Sequence, residues 1–265
     1  MQQNLKLNEI LKEKSLNEMT QDMLRQVKNE PGNIALREVL FKLYCIEGLW
    51  EKAMLQLETS LLLDDSDKKQ IELYKNLVLS EMLREQVLAG KKVAVTLDKL
   101  SSPWLEKLQQ ANKAYHEGDI ERSDMLRLDA FNELPENSGN GPQTGSFGWL
   151  ADSDSRLGPV CEFINAGGYR WVPFTDIQSL SVQTPQDTLE LVWAQAQIVM
   201  NGETYYGFIP ARYPITHETD QAIKLGYRTE WNSLTDVLSV GVGRKVLITD
   251  QNEFSLFEID NIYFA

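Results

Sequence analysis

The chain is poor in the residues that most often carry chemistry. Its 265 residues hold two cysteines and two histidines. Cys45 and Cys161 stand far apart and fall in different expected domains, so a structural disulfide is not expected. Together with His116 and His217 they show no spacing that builds a zinc site, and each histidine reads as a surface residue. Long apolar runs are missing as well. No stretch approaches the roughly 20 residues needed to span a bilayer, although the chain is 42% hydrophobic, as an ordinary globular protein is. The opening segment MQQNLKLNEILKEK lacks the apolar core of a secretory signal and reads as a charged amphipathic helix, so a cytoplasmic location is expected.

Positive charge is also scarce. There are 26 Lys and Arg against 39 Asp and Glu, a net charge of -13. Up to residue 140 the count is 19 basic against 24 acidic; beyond it, 7 against 15. Phosphate contacts need a basic face, so nucleic acid and anionic lipid are poor partners for this chain. An acidic surface suits a partner with a basic or amphipathic segment.

The short glycine patterns fall short of cofactor sites. GVGRK at 241–245 lacks the third glycine and following helix of a dinucleotide loop, and AGKK at 89–92 lacks the upstream glycine and the terminal Ser or Thr of a phosphate loop. There is no Gly-x-Ser-x-Gly elbow, and neither cysteine has a histidine in register. No cofactor, no metal and no catalytic residue are expected.

What is present divides the chain in two. Up to about residue 135 apolar residues recur at three and four spacing, and proline occurs only at 31, 103 and 135. In ALREVLFKLYCIEGLWEKAMLQLETSLLLDD, Leu40, Phe41 and Tyr44 line one helix, Gly48 sits in a turn, and Trp50, Ala53 and Leu57 line the next. That is the tetratricopeptide layout of two helices with small residues where they cross. Ala111, Ala114, Gly118, Ile120, Ser123 and Ala130 repeat it about two repeat lengths on. Residues 135–146, PENSGNGPQTGS, have no apolar periodicity and read as a linker or loop.

Beyond them the period changes. WAQAQIVM alternates and is joined by Asn201-Gly202 to ETYYGFI, a two-residue hairpin signal. PVCEFI and YRWVPF flank residues 165–168, and RKVLIT and FSLFEI flank 250–252, in the same way. Three hairpins predict a twisted antiparallel sheet, open or closing toward a barrel, with one helix near 216–225. The expected class is α+β: a helical-repeat domain over 1–138, a linker or loop over 139–146, and a mainly antiparallel β-rich domain over 147–265.

Asp152-x-Asp154 is the one carboxylate pair that invites a metal or phosphoryl reading. An EF-hand loop would want a ligand at Arg156, a glycine at Leu157 and a glutamate at Phe163. A phosphohydrolase would want a hydrophobic strand before the first aspartate and a small residue after the second. All of these fail, so both aspartates are expected to cap a turn and hold Arg156 in a local ion pair. The aromatic residues point to binding instead. Most should be core, but some could line a groove for a peptide or helix, as could the concave side of the helical layer. The candidate partner-binding residues are Tyr44, Trp50, Trp149, Arg156, Tyr169, Trp171, Arg212 and Tyr213.

Five stretches occur in order over about residues 147–231: WLADSDSRLGPVCEF, YRWVPF, LVW, GFIPARYP and LGYRTEW. In this the chain resembles the ImpE/TagJ family of type VI secretion accessory proteins, departing from its pattern around Tyr227 and at Glu230. The resemblance implies a helical-repeat first half and a non-enzymatic adaptor of the contractile sheath. Its implied partners are the N-terminal helix of the small sheath subunit and, through it, the recycling AAA+ ATPase. The alternatives are an Asp152/Asp154-dependent phosphohydrolase and a structural homodimer with aromatics buried at its own interface.

Overall fold

A computed structural model describes residues 14–97 and 102–265; the amphipathic helix expected at the start of the chain falls largely outside them. Helix α1 (Leu16–Asn29) begins at a capping box, in which the Ser15 hydroxyl accepts from the backbone of Glu18 while the Glu18 carboxylate accepts from the backbone of Ser15. Asn33 caps α2 (Ile34–Glu47), and a turn through Gly48 leads into α3 (Trp50–Leu63). The long helix α4 (Lys68–Leu88) follows. Pro103 opens α5 (Pro103–His116), and Asp119 caps α6 (Ile120–Asn132). The expected helical hairpins are therefore α2–α3 and α5–α6. Ala53, Ala111, Ala114, Ser123 and Ala130 are all buried, as small residues at helix crossings should be, while Ile120 is exposed.

The second half forms fourteen strands: β1 (Gly139–Gly141), β2 (Gly145–Phe147), β3 (Leu150–Asp152), β4 (Val160–Asn165), β5 (Gly168–Pro173), β6 (Ser179–Val182), β7 (Trp193–Met200), β8 (Glu203–Pro210), β9 (Arg212–Tyr213), β10 (Thr229–Ser233), β11 (Ser239–Arg244), β12 (Val246–Thr249), β13 (Glu253–Ser255) and β14 (Asn261–Phe264). A short helix α7 (Gln221–Lys224) lies in the expected place. Eight strands make one sheet in the order β2-β1-β14-β6-β7-β8-β4-β5, and β10-β11-β9 and β13-β12-β3 form two small sheets. The protein is α+β, and the large sheet is open, with β2 and β5 at its edges. The three expected hairpins are β4–β5, β7–β8 and β12–β13. Asn201 and Gly202 both adopt positive φ (51° and 76°), the geometry the Asn-Gly pair signals.

Residues 139–146, expected as a linker or loop, are built into the sheet instead. β1 pairs with both β14 and β2. A Cβ at Gly139 would stand 2.5 Å from the Tyr263 carbonyl oxygen, and one at Gly141 would stand 2.4 Å from that of Asn261. Glycine is there to let β14 approach, and a strand made of glycines carries no side-chain alternation to announce it.

Alternation along the strands divides the core. Val160, Ile164, Tyr169, Trp171 and Trp193 join Leu40, Phe41, Leu77 and Val78 in one cluster shared by helices and sheet. Cys161, Phe163, Val172, Ala194 and Ile198 point the other way, into a second cluster with Leu180, Leu247 and Ile262. The helical layer also extends the sheet edge: the amide of Trp171 donates to the Val95 carbonyl (3.0 Å), and Thr96 bridges the same residue.

Candidate functional site

Glu162 occupies the middle of β4 on the side that faces the helices, where alternation calls for an apolar residue. It is wholly buried, and three side chains make four hydrogen bonds to its carboxylate. Arg84 of α4 donates from Nε to Oε1 (2.7 Å) and from Nη2 to Oε2 (2.9 Å). Lys245 donates to Oε2 (2.8 Å) and the Tyr169 hydroxyl to Oε1 (2.5 Å). Lys245 also donates to Asp152 Oδ2 (2.5 Å), and Tyr213 donates to Asp152 Oδ1 (2.7 Å). Arg84 reaches Glu81 as well (3.1 Å), whose other oxygen accepts from the Trp193 indole (3.0 Å).

In this seam Glu81, Asp152, Asp154 and Glu162 are paired with Arg84, Arg156 and Lys245, all with little or no solvent exposure. Burial by itself would raise the Glu162 carboxyl, but the charges of Arg84 and Lys245 outweigh it and hold Glu162 far below the ordinary carboxylate range. Burial would lower Lys245, and Asp152 and Glu162 overcome that and raise it. Asp152 is raised, because its burial exceeds what Lys245 returns. A network satisfied in this way fixes one arrangement of helices on sheet; it leaves no carboxylate oxygen free for a substrate.

The Asp-x-Asp pair takes its place in this scaffold. Asp152 accepts from the Asp154 amide (2.9 Å). Asp154 accepts from the amide and Nε of Arg156 (both 2.9 Å), from its Nη2 (2.6 Å) and from the Gly241 amide (2.9 Å). A metal would have to displace lysine, tyrosine and arginine partners from every oxygen. No group of three or more His, Cys, Asp or Glu among the described residues is arranged to hold one.

Most of the proposed partner-binding residues are internal. Tyr44 and Trp50 are buried in the helical core, and Trp50 donates to Glu85 (2.6 Å). Trp171 donates to the Tyr169 hydroxyl (2.6 Å), both beneath α4. Arg212 donates to the carbonyls of Cys45 (2.6 Å) and Ile46 (2.7 Å), filling the C-terminal end of α2 with a cation. Its guanidinium is drawn down to about 10 by burial, with Glu81 opposing. Tyr213 is fully enclosed, and Arg156 is committed to Asp154. Only Trp149, 45% exposed, offers a large face to solvent.

Sequence reasoning missed Arg84, Glu162 and Lys245, each of which sits among apolar or ordinary surface residues in the chain. The five motifs offered an indirect signal, since each supplies the seam or its border. The first gives Asp152, Asp154, Arg156 and Glu162, and the second Tyr169 and Trp171. LVW gives Trp193, and GFIPARYP gives Arg212 and Tyr213. LGYRTEW gives Trp231, whose ring lies 5.5 Å from that of Tyr213.

Beside Trp149 the surface opens into two adjoining depressions of about 540 Å³ each, both lined by Phe131, Leu134, Trp149, Ala151 and Pro159. The first continues to Trp231. Its floor is anchored: Arg127 of α6 donates to the Ser155 carbonyl (2.6 Å) and to Asn112 (3.0 Å), tying α6 to the Asp152–Gly158 turn. The Phe131 ring lies so close to Gly158 that a Cβ there would be 2.8 Å away.

Residues 144–263 match the ImpE protein family. Over 258 residues the chain is 35% identical to the type VI secretion system accessory component TagJ of Pseudomonas aeruginosa, covering 97% of this chain and 90% of that protein. A crystal structure of a protein from Vibrio parahaemolyticus has the same fold, with a TM-score of 0.86, 25% identity and 97% of each chain covered.

Proposed function

The chain belongs to the ImpE/TagJ family, and on that premise we propose that it is a cytoplasmic, non-enzymatic adaptor of a type VI secretion system. It holds a helical segment of the small contractile-sheath subunit and in that way modulates how the recycling AAA+ ATPase handles the sheath. The observation that carries this reading is the 35% identity to an accessory component of that system across nearly the whole chain. The geometry agrees with it. The carboxylates that could have served a hydrolase are consumed by Lys245, Tyr213 and Arg156, while an apolar surface around Trp149 stays open.

The test is titration calorimetry of the full-length protein against a synthetic peptide of the small sheath subunit's N-terminal helix. Micromolar or tighter binding is expected; heats no larger than those of dilution would overturn the reading.

A further inference from the structure

Where such a helix would dock follows from a coincidence of three elements. On α6, Asp124, Leu128 and Phe131 fall at i, i+4 and i+7, one stripe of the helix. At one end Asp124 accepts from the Thr235 hydroxyl (2.8 Å), which holds the β10–β11 hairpin alongside. At the other end Phe131 reaches the depressions beside Trp149. Exposed apolar side chains gather along this line: Leu128 is 46% exposed, Trp231 38% and Trp149 45%, with Leu234 beside Thr235 also exposed. Single exposed apolar residues are ordinary, but two tryptophans at a concave floor, with exposed leucines on the elements that border it, are the makings of an anchor site.

The floor is rigid for reasons already given. Trp231 is braced by the enclosed Tyr213, and α6 by Arg127. Rigid aromatics lose little freedom when a partner arrives. From Asp124 to Phe131 the stripe runs about 10 Å at 1.5 Å per residue, the span of about two helical turns. The rim is acidic: Glu136 and Glu253 line the depressions and are exposed, exposed Asp250 accepts from the Gly148 amide beside them, and no lysine or arginine lines either depression.

We propose that this groove, between α6, the β10–β11 hairpin and Trp149, takes an amphipathic α-helix of about two turns whose apolar stripe is flanked by lysine or arginine. The proposal rests on the adaptor reading and names its surface. Apolar side chains at i, i+3/i+4 and i+7 of the guest enter between Trp149 and Trp231, and its basic flank faces the carboxylate rim.

The same calorimetric titration, run with folding checked by circular dichroism, tests it. Trp149→Ala is expected to weaken the sheath-helix peptide at least tenfold. The double reversal Glu136→Lys with Glu253→Lys should weaken it at low salt and flatten the salt dependence. Leu62→Asp, at the 87% exposed position on α3, should leave binding as it was. If wild type binds and both groove variants bind within twofold of it, or if Leu62→Asp abolishes binding, the surface is wrong and the adaptor reading stands. A wild-type protein that ignores the peptide overturns both. A homodimer in light scattering that Trp149→Ala dissociates would make the groove a self-interface and overturn the proposal alone.

Discussion

Arg84 and Glu162 meet as two parallel forks, 2.7 and 2.9 Å long, across the seam between α4 and β4, with each side chain almost wholly shielded from water. Removing one partner of such a pair strands the other, which costs more than the pair itself contributes. Glu162→Gln leaves Arg84 and Lys245 facing a neutral amide, and a loss of about 3–5 kcal/mol is expected in urea unfolding. Arg84→Lys should also destabilise, since an ammonium cannot reproduce the fork. A Glu162→Gln protein as stable as wild type would show that the seam contributes nothing to the fold.

The same carboxylate shapes the response to acid. Its folded pKa lies far below its unfolded value, so its contribution is fully present above the ordinary glutamate range, about 4.3, and is lost as pH falls toward the folded value. Below about pH 4 one such group adds a slope of about 1.4 kcal/mol per pH unit to the unfolding free energy. Urea titrations between pH 5 and 3 should show a limb shallower by about that slope in Glu162→Gln than in wild type. Equal slopes would mean that Glu162 is not the ionised centre of the seam.

Gly207 on β8 has no room for a side chain. A Cβ would stand 2.3 Å from the carbonyl oxygen of Ile164 and 2.7 Å from the ring of Phe163. Gly207→Ala must push β8 from β4 and is expected to cost about 1–3 kcal/mol, the usual range for overpacking. Thermal unfolding reads it directly, and an unchanged midpoint would show that the two strands can part without loss.

Both thiols should be inert in the native protein. Burial pushes Cys161 up to about 12 and Cys45 well above the ordinary thiol range. A disulfide-exchange reagent at pH 8 is expected to label neither cysteine until denaturant is added, and then both. Rapid labelling of Cys161 in the folded state would mean that the core on the far side of the sheet opens readily.

Most of the architecture was legible because it is written in periodicity. The helical hairpins follow from small residues at regular spacing, and the β-hairpins from alternation around Asn201-Gly202 and the other turns. The turn role of Asp154 with Arg156 was legible too, since the partners are two residues apart. Glu162 was not: its partners lie 78 and 83 residues away, and a charged residue in an alternating strand looks like a solvated position until the helix that covers it is known. Tyr169, Trp171 and Tyr213 look like anchors in the sequence because aromatics serve surfaces and cores alike, and their chemical type does not distinguish the two. Trp231 differs from them only in which side of its strand it occupies, and Trp149 stands between β2 and β3.

The seam also imposes an order on the making of the protein. α4 leaves the ribosome carrying Glu81 and Arg84, and the carboxylate that Arg84 clasps is synthesised 78 residues later. Lys245, which joins Asp152 to Glu162, comes after another 83 residues. A nascent or prematurely terminated chain therefore holds ionised groups that must stay hydrated, and the helical layer cannot shut over them. Quality control acting during translation would find a chain recognisably open until Lys245 is in place.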